Sequence, residues 1–148
     1  KINDNMHKHI YNKLLTFVHE KKINPKTSKI LFIGLTFKEN CNDLRNSKSL
    51  ELLNLIVKKF KNVSIFDPII TIDEFNKIKY FHNFKDTSFV NEEKILKTRY
   101  DILILSVPHK KVLFFLKKNL KNILKKEKII FDIKNKIKIE NLKIDFKL

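Results

Sequence analysis

A chain of 148 residues with 43% hydrophobic residues and thirteen Phe can bury one real core and is too apolar for wholesale disorder. A single Cys excludes a disulfide scaffold and a multi-Cys zinc site, and one Gly with three Pro excludes collagen-like or linker-like sequence. No apolar run approaches the roughly 20 residues that span a bilayer, and the polar opening residues are not those of a signal peptide, so a cytoplasmic protein with no membrane partner is expected.

The formal charge is +16, which taken alone suggests nucleic acid or an anionic surface. The composition supplies another cause. There are 30 Lys, 21 Ile and 16 Asn, only two Arg, and no Ala, Gln or Trp. Lys, Ile and Asn are the residues of AT-rich codons. The lysines are also spread along the chain rather than massed in an arm, so most of the charge reads as solvated surface and no nucleic-acid partner is expected.

Residues 4–22 have helical spacing: Met6, Ile10, Leu14 and Val18 recur every fourth position, and Leu15 and Phe17 widen the stripe. Asn24-Pro25 breaks it. Residues 29–35 form a short continuous apolar run, the pattern of a strand buried on both faces. A polar stretch, 36–46, leads to an amphipathic helix over 47–60, with Asn46 or Ser47 as cap and Glu51 in the first turn. Val63-Ser-Ile-Phe-Asp67 is a second strand, stopped by Pro68. The next segment predicts a short helix near 73–77, an extended piece around 80–84 and a helix near 91–97. Residues 100–107 are the clearest strand. Pro108 then opens a helix to about 124, and a strand follows at 128–133. The tail from 134 onward has no assigned structure.

Strands alternating with helices predict an α/β fold: a Rossmann-like, mostly parallel sheet with helices on both faces, preceded by an N-terminal helix. Ligands of such sheets bind at the carboxyl ends of the strands, which directs attention to the loops 36–46, 67–70, 107–110 and 132–136.

The first of these loops is the richest. Gly34 ends a strand, Lys38 follows, and Arg45 precedes a helix N-terminus. Cations, a helix start and small polar residues suit a phosphate or carboxylate. The same residues also suit a long solvated loop, and the G-x-G-x-x-G fingerprint is absent. Cys41 has no base near it in sequence, so a nucleophile is not expected. Asp67, at a strand end, could hold a ribose or simply stop the strand. His109 could touch a ligand or sit at the surface as a cap. Lys134 is a second phosphate candidate beside the ordinary surface Lys reading. His7, His9, His19 and His82 offer no metal-ligand spacing, so no metal is expected.

The stretch Ile33-Gly-Leu-Thr-Phe-Lys-Glu-Asn-Cys-Asn-Asp-Leu-Arg-Asn-Ser-Lys48 resembles the signature that opens the C-terminal domain of the UDP-glucose/GDP-mannose dehydrogenase family. It is most similar to the branch acting on UDP-N-acetylhexosamines such as UDP-N-acetylglucosamine and UDP-N-acetylgalactosamine. Weaker matches follow the family's order: Ile2-Asn-Asp-Asn-Met6, Ile65-Phe-Asp-Pro68, the strand ending in Val107-Pro-His109, and Ile130-Phe-Asp-Ile-Lys134. The resemblance implies an NAD-dependent UDP-sugar 6-dehydrogenase, an oxidoreductase of surface-polysaccharide biosynthesis. Its fold implies residues 1–24 as the end of a central-domain helix and 25–148 as the C-terminal UDP-sugar-binding, Rossmann-like domain. It also implies Phe37, Lys38 and Lys134 as substrate-binding residues and Arg45 as the residue reaching NAD. The partners implied are the UDP-sugar, the missing N-terminal and central domains, and further copies of a homo-oligomer when complete.

The family's nucleophile segment, G-x-G-G-S-C-x-x-K-D, is missing, as is its N-terminal glycine-rich fingerprint, so no catalytic residue is assigned and the chain alone is expected to be inactive. Asn42 replaces the branch's usual Pro, and Asn135 replaces its usual Gly, which bears on the turn after Lys134. A non-catalytic remnant or interaction module is the alternative expectation, and a nucleic-acid binder resting on charge alone is the third.

Overall fold

The computed structural model describes residues 5–148, so the first part of the Ile2–Met6 motif lies outside the described residues. The order is α1 (Met6–Glu20), β1 (Lys29–Ile33), α2 (Lys48–Lys59), β2 (Asn62–Phe66), α3 (Ile72–His82), β3 (Thr87–Phe89), α4 (Glu92–Leu96), β4 (Tyr100–Leu105), α5 (Lys110–Ile123) and β5 (Leu124–Asp132). All the strand pairs are parallel, in the order β3-β2-β1-β4-β5.

The continuous apolar runs of β1 and β4 follow from burial on both faces. Side chains alternate across the sheet with period two. Ile30, Phe32, Ile102 and Ile104 pack with α1, α2 and α3, whereas Leu31, Ile33, Leu103 and Leu105 pack with α4 and α5. Residues Ile10, Leu14 and Val18 of α1 are buried in the first of these layers, and α1 lies against α2. Each such side chain is worth roughly 1.5–3 kcal/mol relative to exposure, so α1 is held by this sheet and its stripe is covered.

Several boundaries differ from the sequence expectation. Residues 80–82 are helical rather than extended: α3 runs on to His82, because Phe75 and Ile78 share one buried face and Thr71 with Glu74 forms a capping box at its start. Asn83 stops it in a left-handed conformation. The helix expected to open at Pro108 begins at Lys110, with His109 in extended backbone before it, since the His109 side chain is committed to the interior. The unassigned tail returns along β5. Phe146 pairs with Phe131 in an isolated bridge and stacks on it at 4.8 Å, and Asp145 Oδ2 accepts the Ile130 N–H, so the free edge of β5 is partly covered.

Left-handed backbone is needed at more turns than one Gly can serve. Among the described residues, Asn40, Asn46, Asn83, Asn135 and Asn141 all have positive φ, as does Lys22. Asn tolerates this region better than other side-chain-bearing residues. The turn after Lys134 forms with Asn135 at φ +56°, so Asn serves there without Gly.

Candidate functional site

The chain enters the sheet at its centre, runs outward through β2 and β3, then returns to place β4 beside β1. The connection leaving β1 goes to α2 on one face, and the connection leaving β4 goes to α5 on the other. A crevice opens between them at the carboxyl ends, the switch point of an α/β sheet. It is a cleft of about 510 Å³ whose walls come from the start of α1, the loop after β1, the first turn of α2 and the ends of β4 and β5.

Gly34 sets the shape of this end. Its φ is +97°, and a Cβ there would meet the Val107 backbone and side chain at about 2.5 Å. Its role is to let the ends of β1 and β4 close up. It is filled space rather than a cradle for a phosphate.

Beyond Gly34 the loop divides in two. In its first half, Thr36 Oγ1 donates to the Lys38 carbonyl at 2.9 Å, and Phe37 N–H donates to the Asp43 carbonyl at 2.6 Å. Phe37 and Lys38 line the cleft, as does Lys134 just beyond the end of β5. Phe37 is 54% exposed, a large aromatic ring offered at the mouth. Lys48, His7, Ser49 and Ser106 also line the cleft, and no Asp or Glu is among its lining residues. Glu51 lies just outside, 3.3 Å from Lys48 and 3.4 Å from His7. Ser47 closes the loop: its hydroxyl accepts the Leu50 N–H as the cap of α2 and donates to the Leu35 carbonyl at 2.6 Å.

The second half of the loop turns away. Arg45 is not part of the cleft. Its guanidinium grips Asp43 with two hydrogen bonds of 3.0 Å while its own side chain is 87% exposed. That hydrogen bonding holds the Asp43 carboxyl below its usual value and raises Arg45. The two cations of this loop therefore do not converge, because the local carboxylate captures Arg45. The residue that shares the cleft with Lys38 is Lys134.

Two residues read as ambiguous from sequence have firm internal roles. Asp67 is buried rather than presented to a ribose, accepting the Leu35 N–H at 2.8 Å and the Ile69 N–H at 2.9 Å. His109 is fully buried rather than at the surface, with Nε2 3.1 Å from Asp67 Oδ2 and Nδ1 accepting the Asn40 N–H at 2.9 Å. Sequence reasoning missed this pairing. The available signal was position: Asp67 follows β2 and His109 follows β4, the two strands flanking β1. Elsewhere, His82 stacks on Phe84 at 5.4 Å. No group of three His, Cys, Asp or Glu able to hold a metal exists among the described residues, and none of the described helices is long and apolar enough to cross a membrane.

Comparison with known proteins agrees with this architecture. The chain is 32% identical over all of its length to Protein CapL of Staphylococcus aureus, covering 33% of that protein. It is 26% identical over 134 residues to the UDP-N-acetyl-D-glucosamine 6-dehydrogenase of Salmonella typhi, covering 90% of this chain and 30% of that one. Among solved structures, a UDP-D-ManNAc dehydrogenase from Pyrococcus horikoshii superposes with a TM-score of 0.71 at 21% identity, over 98% of this chain and 31% of the other, which supports the fold. The chain thus spans about a third of the length of the curated relatives it matches. The model described as UDP-glucose/GDP-mannose dehydrogenase family, UDP binding domain, matches residues 31–139, and the chain belongs to that family.

Proposed function

We propose that the cleft binds the UDP portion of a UDP-N-acetylhexosamine and that the chain is the substrate-binding part of an NAD-dependent 6-dehydrogenase. The observation that supports this reading is that Lys38 and Lys134, far apart in sequence, line one cleft that has no Asp or Glu among its lining residues. Two ammonium groups facing one space attract a diphosphate by charge and by N–H donation to its oxygens. Phe37 supplies an exposed ring for an apolar face of the ligand, a contact worth about 1–3 kcal/mol where a base stacks on an aromatic side chain.

Relatives named for oxidation of UDP-N-acetyl-D-glucosamine and UDP-N-acetyl-D-mannosamine support the hexosamine class. NAD supplies the hydride acceptor in such chemistry. The residues here do not form a dinucleotide cradle, since the space beside the sole glycine is taken by Val107. In this reading NAD is held by a part of the enzyme outside this sequence. Arg45, exposed at the loop tip, reaches toward it from this domain. Residues 1–24 are then the end of a preceding helical unit, docked here through α1, and the complete enzyme works in the cytoplasm as a homo-oligomer.

Calorimetry tests the reading. UDP should bind the chain with a favourable enthalpy that weakens as salt rises, and uridine, which lacks phosphates, should bind far more weakly. Equal affinity for UDP and uridine, or no UDP binding at all, contradicts it.

A further inference from the structure

A polar chain runs from the buried pair Asp67 and His109, at the carboxyl ends of β2 and β4, out to the exposed Asn40. Its centre is His109, and its two ring nitrogens do different work. Nδ1 accepts the Asn40 N–H at 2.9 Å, and a ring nitrogen that accepts an N–H carries no proton. The ring proton of the neutral imidazole is then on Nε2, aimed at Asp67 Oδ2 at 3.1 Å. Asp67 is fixed in turn by the Leu35 and Ile69 N–H groups. On the loop side, Asn40 is in the left-handed region at φ +58°, and its Oδ1 accepts the Lys110 N–H at 2.9 Å. Asn40 is therefore pinned at two points to the start of α5, across the switch point from its own strand. Phe37 and Lys38 lie between this pin and the strand end at Gly34.

We propose that His109 is a positioning residue for nucleotide binding. Its Nδ1 acceptor, oriented by Asp67, holds the first half of the loop so that Phe37 and Lys38 face the cleft. A buried acceptor matched to one backbone donor sets the loop at a single height above the sheet, which a solvated loop would not keep. The charged group facing the ring is Asp67, from the end of β2, and Thr36 Oγ1 lies 3.4 Å from Nε2. The proposal rests on the reading of the cleft as the nucleotide site.

Two variants separate the roles of the two nitrogens. In His109→Asn the amide oxygen takes the place of Nδ1 and keeps the acceptor for Asn40. In His109→Gln the longer amide reaches Asp67 but leaves the Asn40 N–H without a partner. With UDP-N-acetylglucosamine as probe, His109→Asn should bind within about threefold of wild type, and His109→Gln should lose about tenfold, the equivalent of one well-made hydrogen bond. Hydrogen exchange of residues 36–42 without ligand should speed up in His109→Gln and not in His109→Asn. Equal losses in both variants, or no change in His109→Gln, overturn the proposal. The exchange result is read without ligand, so a chain that fails to bind the probe defeats the nucleotide reading while still reporting on the tether. Nitrogen-15 spectra of the wild-type ring serve if either variant fails to fold. They should show the Nε2–H tautomer, and the Nδ1–H tautomer overturns the proposal.

Discussion

The two halves of the loop between β1 and α2 have similar polarity and opposite fates. Residues 36–40 are stitched to the interior through His109 and carry Phe37 and Lys38 into the cleft. Residues 41–46 close on themselves, with Arg45 spent on Asp43 in solvent. A cation is free to face a cleft when no carboxylate captures it. Lys38 lines the cleft with its carbonyl held by Thr36, whereas Arg45 is tied to Asp43 through both its N–H and its guanidinium. This also bears on the high net charge. Most lysines here decorate the surface, and Lys38, Lys48 and Lys134 line the cleft because of where the sheet puts them.

The comparison can be broken most severely at its hinge. Gly34→Ala puts a methyl group into the Val107 backbone at a left-handed position, and it should cost roughly 3–5 kcal/mol by combined strain and overpacking. Denaturant unfolding should find the variant largely unfolded or strongly shifted in midpoint. A near-normal midpoint would mean that β1 and β4 can separate at this end.

The next effect is on the ligand. Lys38→Ala and Lys134→Ala should each weaken UDP binding about ten- to a hundredfold, the range for a hydrogen bond to a charged group. Arg45→Ala should leave UDP affinity of this chain within about twofold, since an exposed paired cation contributes little to a site it does not reach. A reversal, with Arg45 mattering and Lys38 not, would exchange the roles of the loop's two halves.

A smaller effect falls on the junction with α2. Ser47→Ala removes the α2 cap and the hydroxyl donated to Leu35, and it should cost about 1 kcal/mol in thermal or denaturant unfolding.

The smallest effect is a pH dependence at the tip. Asp43 is lowered by the Arg45 hydrogen bonds, so the pair's contribution is present above the ordinary carboxylate value of about 3.9 and is lost as pH falls through the depressed one. Titration by NMR should find the Asp43 midpoint below that ordinary value, and Arg45→Ala should return it upward. UDP binding should not follow that titration.

Four of the five strands were legible in the sequence as short apolar runs, and β3 (Thr87–Phe89), with only three residues, was not. Ile30 to Ile33 and Ile102 to Leu105 have no polar face, and only a doubly covered strand uses such a run. The helix of residues 72–82 was less legible, since its apolar residues are few and Tyr80 and Phe81 sit exposed on it at 89% and 85%. Phe37, Lys38 and Lys134 could be named from a motif, but their meeting depends on which strands are neighbours, and that is not written locally. The Asp67–His109–Asn40 chain was illegible for the same reason. Its members are 42 and 69 residues apart and join only once β2, β1 and β4 lie side by side. The Arg45–Asp43 pair was open to sequence reading, since the carboxylate lies only two positions earlier.

The most direct test is an amide chemical-shift map of this chain titrated with UDP. Shifts concentrated at residues 36–40, 106–107 and 133–135, saturating together, are the predicted result. Shifts centred on residues 43–46, or scattered over the lysine-rich surface without saturation, would contradict the assignment of the cleft.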